Sequence, residues 1–177
     1  LLFSLNFGLY FLLLQRRFKE ALKSDEARFF LLLVAGSTAL ITINIMPIYE
    51  NVWDSLRYAF FQVASIISTT GFATADFVLW PHFSQMILVI LMFCGACAGS
   101  TGGGIKVSRI VILVKAGIQE VHHYVHPRSV TSVRMDSKPV ERDTVRSVVM
   151  YIGVYVCIFF ASILLVTIFD GDQSLET

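Results

Sequence analysis

SIISTTGFATADF, residues 65–77, sets a Thr-Thr-Gly turn between two apolar segments, with no charge before Asp76. The run leading into it, SLRYAFFQVASII (residues 55–67), is only 13 residues long. A hydrocarbon core of about 30 Å takes about 20 apolar residues to cross, so this run predicts a re-entrant half-helix. Non-helical backbone at membrane depth survives only where it is buried in protein or lines water. An extended turn after a short helix leaves its carbonyls outside the helix ladder, free to replace a cation's hydration shell. Gly71 has no Cβ and supplies a conformation that other residues avoid. Thr69 and Thr70 carry hydroxyls that either brace the turn or add oxygen ligands, and Phe72 is placed to wedge against neighbouring helices. The partly negative C-terminal end of the half-helix, at Ile67, points toward the same cation. The plainer alternative is an ordinary loop between two short helices, with Gly71 as its turn residue.

Composition supports lipid as the solvent. Of 177 residues, 55% are hydrophobic and 15% charged, against about 25% charged in a soluble domain. The apolar residues are gathered in long runs: 1–14, 29–46 and 145–169, with shorter ones at 55–67 and 83–94. A net charge of +1 gives no reason to expect a nucleic-acid partner. The opening LLFSLNFGLYFLLLQRR lacks an initiator Met and the basic n-region of a signal peptide. The expectation is an internal piece of a longer protein, its first helix cut short.

Charge orients the spans. Arg16, Arg17, Lys19, Lys23 and Arg28 lie between the first two runs. Lys106, Arg109, Lys115, Arg128, Arg134, Lys138, Arg142 and Arg146 lie between the Gly-rich region and the last span. Together they make up 13 of the 14 basic residues. Glu50, Asp54, Asp76, Asp170, Asp172 and Glu176 occupy the other side, with Arg57 alone against them. Lys and Arg near span ends mark the cytoplasmic face, so the Thr-Thr-Gly turn opens outward. An acidic rim there concentrates cations.

A second interruption is GACAGSTGGG, residues 95–104, with five glycines. Gly costs a helix interior about 1 kcal/mol relative to Ala, and a triple Gly should unwind it. Gly99, Ser100, Thr101, Gly102, Gly103 and Gly104 are therefore expected to form a mobile gate beneath the turn. Gly95, Gly99 and Gly103 also fit the small-xxx-small pattern of close helix packing. A phosphate-binding loop is a near miss, because Ile105 stands between Gly104 and Lys106. A serine protease needs a base near Ser100, and His82 is at the opposite rim. No enzyme is expected. Cys94 and Cys97 are formally C-x-x-C, more simply small apolar filler. His122 and His126 share a helical face without an evident third metal ligand. Lys106 and Arg109, just past the break, either line an inner vestibule, anchor the gate, or snorkel to headgroups.

RSVTSVRMDSKPVERDT, residues 128–144, is polar and weakly alternating. It predicts a short exposed hairpin turning at Asp136-Ser137, with Pro139 on an edge. Its positive charge suits anionic lipid or an acidic partner.

In this order, STTGFATADF, AGSTGGGIKVSR, HPRSV and KPV resemble the Trk/Ktr/HKT superfamily of potassium uptake proteins, specifically the bacterial Trk-type membrane subunit. The resemblance covers most of residues 50–155. It implies an all-α membrane protein in which four helix–pore-helix–helix repeats surround one pore. Thr69, Thr70, Gly71 and Phe72 would be one K⁺-binding filter strand within 68–74, and 95–104 the gating loop that breaks the second helix of the third repeat. Residues 1–24 would then end the preceding repeat, 25–126 form one full repeat, 127–142 a cytoplasmic linker, and 143–177 begin the next. The resemblance further implies a homodimer, a cytoplasmic nucleotide-binding regulatory subunit of the RCK/KTN kind, and a prokaryotic inner membrane. K⁺ is the cargo and no cofactor is expected. The rival expectations are a non-conducting scaffold subunit and a tetrameric two-span cation channel.

Overall fold

The computed structural model describes residues 1–17, 23–49, 51–126, 132–136 and 138–169. Lys19, Glu50, Arg128, Ser137, Asp170, Asp172 and Glu176, which entered the charge pattern or the hairpin expectation, lie outside the described residues. The order is α1 (Phe7–Leu14), α2 (Asp25–Ile45), α3 (Val52–Ile67), α4 (His82–Cys94), α5 (Val107–Val125), β1 (Arg134–Met135), β2 (Lys138–Pro139) and α6 (Arg142–Phe169).

Local chemistry sets the helix ends. Apolar periodicity places the start of α2 at Phe29, yet the helix begins four residues earlier. Ser24 caps it, with its Oγ 3.5 Å from the Ala27 N–H. Asp25 and Glu26 follow in the first turn, where the helix dipole favours acidic groups. At 21 residues α2 is about 31 Å long, a full hydrocarbon crossing. The 16 residues of α3 span about 24 Å, and the 13 of α4 about 20 Å. Neither is long enough to cross alone. Helix α4 follows Pro81, whose missing N–H costs nothing at a helix start, and stops at Gly95, φ +67°.

Helix α2 packs on α3, α4 and α5, and α3 on α4. Its stripe of Phe30, Val34, Ile41 and Ile45 recurs at helical spacing and is buried. Ala59, Val63 and Ile67 of α3 meet it, each fully enclosed. Two polar pairs lock the seam near the α2 C-terminus: Ser84 Oγ donates to Asn44 Oδ1 at 2.7 Å, and Trp80 Nε1 to the Tyr49 hydroxyl at 3.2 Å. Helix α6 is different. Of its 28 residues only Val148 is buried, and it is apolar nearly all round. That is the pattern of a helix covered by lipid or other protein. It touches the rest through α5 and through an edge-on Phe93–Phe159 contact at 4.9 Å.

The hairpin pairs Arg134 with Pro139 and Met135 with Lys138, antiparallel. Asp136, φ +50°, stands at its turn, and Val140 N–H closes it onto the Val133 carbonyl at 2.8 Å.

Candidate functional site

Helix α3 ends in a turn rather than fraying. Ser68 Oγ takes the Ala64 carbonyl at 2.5 Å, and Thr69 enters the left-handed region at φ +54°. For a β-branched residue that conformation is strained, which marks the position as one held by its surroundings. Gly71 follows at φ +81°. The Thr70 N–H bonds back to the Ser65 carbonyl at 2.9 Å. Ser65 Oγ donates to the Phe72 carbonyl at 2.5 Å, and Ser68 Oγ lies 2.7 Å from Thr70 Oγ1. The Thr70 hydroxyl is thus a brace. Among the described residues, the carbonyls of Thr69, Thr70 and Gly71 accept no hydrogen bond, whereas that of Phe72 is occupied. Among the described residues the Phe72 ring is left largely uncovered. It is 71% exposed.

Residues 95–106 carry no helix. The small-xxx-small packing of Gly95, Gly99 and Gly103 is therefore not what these glycines serve. Gly95 and Gly99 have φ +67° and +68°, incompatible with an unbroken helix. The segment folds back on itself instead. Ile105 N–H reaches the Phe93 carbonyl at 3.2 Å, and Val107 N–H the Ala96 carbonyl at 3.1 Å. A Cβ on Gly95 would stand 2.3 Å from the Gly103 carbonyl oxygen, and one on Gly104 2.7 Å from the Gly95 Cα. The two limbs touch backbone to backbone, which glycine alone allows.

The loop is tied on three sides. Cys97 N–H donates to the Ser4 carbonyl at 2.9 Å, and the Gly99 carbonyl accepts from Phe7 N–H at 3.3 Å. Gly103 N–H donates to Thr69 Oγ1 at 3.1 Å. Ala98 N–H donates to Glu26 Oε1 at 2.6 Å. The strained threonine of the first turn is thus in direct contact with the second segment.

Lys106 and Arg109 turn back onto the protein. The Lys106 ammonium donates to the Gly102 carbonyl. Arg109 Nη1 donates to the Ile105 carbonyl at 3.2 Å, and its guanidinium lies 4.0 Å from the Tyr151 ring centroid. Ser100 Oγ is spent on the Cys97 carbonyl at 2.5 Å. Cys94 and Cys97 are free thiols, Cys97 fully buried. The His122 and His126 rings stack at 5.0 Å. No group of three metal-ligating side chains occurs among the described residues.

Glu26 escaped the sequence reading. It is 5% exposed, and its only signal was an acidic residue two places past a Ser cap, beside Asp25 at the end of a mostly basic linker. Asp25 was missed with it. Its carboxyl holds Lys115 at 2.6 Å.

Two helices long and apolar enough to cross a membrane, α2 and α6, beside two non-helical backbone segments that touch at Thr69, fit a helical membrane protein. The family model described as "TrkH: Cation transport protein" matches residues 14–173, and the chain belongs to that family. A Trk system potassium uptake protein TrkH of Halomonas elongata is 35% identical over 176 residues, 98% of this chain and 36% of the relative. The protein TrkG of Escherichia coli is 33% identical over 168 residues, 93% of this chain and 35% of its own. The crystal structure of the potassium transporter TrkH from Vibrio parahaemolyticus superposes with a TM-score of 0.86 at 30% identity, over 94% of this chain and 36% of that one. This chain therefore spans about a third of the length of these relatives.

Proposed function

We propose that the protein containing this chain takes up potassium across a bacterial inner membrane. Thr69, Thr70, Gly71 and Phe72 supply one strand of a carbonyl-lined filter that faces outside. Residues 95–104 are the gate that interrupts one crossing between α4 and α5, and α2, α3 and α4–α5 form one helix–pore-helix–helix repeat. Three unbonded carbonyls on a turn held by a left-handed Gly71 carry this reading. All three residues are exposed in this chain, and at membrane depth such non-helical backbone survives where it lines water or an ion path. The similarity to potassium uptake proteins supports the same choice of ion.

In this reading the gate stands directly beneath the filter, because Gly103 N–H meets the Thr69 hydroxyl. Lys106 and Arg109 are anchors of the gate's return limb, one on the Gly102 carbonyl and the other on Tyr151. The remaining filter strands come from the rest of the full-length chain. It works as a homodimer in lipid, with a cytoplasmic nucleotide-binding subunit of the RCK/KTN kind on the basic face.

The test is Gly71→Ala in the full-length protein. A Cβ there meets nothing within 4 Å, so the substitution acts through the backbone alone. Holding φ +81° costs an L-residue about 1–2 kcal/mol, enough to turn a carbonyl away from the ion. K⁺/Na⁺ discrimination in proteoliposome flux should fall. Discrimination equal to the parent's refutes the filter assignment.

A further inference from the structure

Two consecutive side chains at the start of α2 hold two distant parts of the chain. Glu26 Oε1 accepts the Ala98 N–H of the Gly-rich loop at 2.6 Å. Asp25 faces the hairpin. Its Oδ2 accepts the Asp136 N–H at 3.1 Å, and its own N–H donates to Asp136 Oδ1 at 2.7 Å. Lys115 of α5 seals the join, donating to Asp25 Oδ2 at 2.6 Å and to the Arg134 carbonyl at 2.8 Å. The hairpin is thus fastened to the residue next to the one that fastens the loop.

Neighbouring residues of one helical turn move together. A pull on Asp25 shifts Glu26, and the part-buried Ala98 N–H is drawn with it, since losing its acceptor costs a hydrogen bond to a carboxylate. There is also room for movement. An open cleft of about 470 Å³, lined partly by Leu9 and Leu12, lies between Asn6, Lys23, Glu26, Asp136 and Lys138.

We propose that Glu26 is the positioning residue of the 95–104 loop and that the Asp25–Glu26 pair transmits movement of the β1–β2 hairpin to it. The hairpin is then where a cytoplasmic partner acts on the loop. That consequence for transport rests on the gate assignment proposed above, whereas the mechanical link does not.

Cys97 is the reporter. It is fully buried beside Ala98, and its exposure follows loop release. The experiment uses the full-length protein in proteoliposomes, with Cys97 as its only thiol, and measures its modification rate by 2-aminoethyl methanethiosulfonate alongside K⁺ flux. Asp136→Ala removes a hairpin acceptor that never touches the loop. Cys97 should nonetheless react about fivefold faster, the scale of one lost hydrogen bond. Glu26→Ala should do at least as much, and Glu26→Gln, which keeps an acceptor oxygen, should stay near the parent rate. Parent-like labelling in Asp136→Ala combined with Lys115→Met, which also removes the Lys115 bridge between Asp25 and the hairpin, overturns the link, and it decides the matter alone if Glu26→Ala does not fold. Equal labelling in Glu26→Ala and Glu26→Gln overturns the role of Glu26. Faster labelling with unchanged flux leaves the link standing and removes the gate assignment. Altered flux with unchanged labelling does the reverse.

Discussion

Gly95→Ala is the sharpest perturbation of the loop. Two costs add at this position. The residue sits at φ +67°, where an L side chain costs about 1–2 kcal/mol. The new Cβ would also stand 2.3 Å from the Gly103 carbonyl oxygen and 2.9 Å from the Gly104 Cα. Both obstacles are backbone, so no rotamer change relieves them, and overpacking of this kind costs about 1–3 kcal/mol. The closed loop is therefore disfavoured by about 2–5 kcal/mol, which corresponds to roughly thirty- to four-thousand-fold in its closed–open equilibrium. Gly103→Ala is the internal control, on the opposite limb. Its Cβ would lie 3.7 Å from Thr69 Cγ2, an ordinary contact, and its φ is not left-handed. That change should stay within about 0.5 kcal/mol. The assay is resting ⁸⁶Rb⁺ uptake by the full-length protein in proteoliposomes, with thermal unfolding of each variant in detergent. Gly95→Ala should leak at rest and melt earlier, while Gly103→Ala should match the parent in both. If the two variants behave alike, backbone contact between the limbs does not hold the loop closed.

Two further substitutions probe the neighbouring contacts. Thr69→Val keeps the shape but removes the acceptor for Gly103 N–H, 3.1 Å away. At about 1 kcal/mol for the lost bond, resting flux should rise roughly fivefold, with Thr69→Ser at the parent level. Equal flux in the two variants would separate the turn from the loop. Arg109→Lys gives up a planar guanidinium stacked 4.0 Å from the Tyr151 centroid. A double-mutant cycle with Tyr151→Leu, read by thermal unfolding, should show about 0.5–1 kcal/mol of coupling, and strict additivity would mean that the two side chains do not interact.

Part of this protein was legible in the residues themselves, because the rules involved are local. Apolar runs too long for a soluble domain named lipid as the solvent, and helix lengths sorted crossing from non-crossing segments. A Gly after two threonines asked for a left-handed turn, and Gly71 takes it at φ +81°. The crowded glycines at 102–104 belong to a segment without helix, since a residue lacking a side chain contributes little to hold one. The alternation around Asp136 fell where the β1–β2 pair forms.

The contacts that make a site of these pieces come from tertiary structure alone. Thr69 meets Gly103 across 34 residues, and Glu26 meets Ala98 across 72. Neither pairing leaves a periodic trace, because each depends on how α2, α3 and α4 pack rather than on spacing along the chain. The exposure of Phe72 and the left-handed strain at Thr69 have the same origin. A side chain's own chemistry says what it can bond, but only the packed helices decide which partner comes within 3 Å of it.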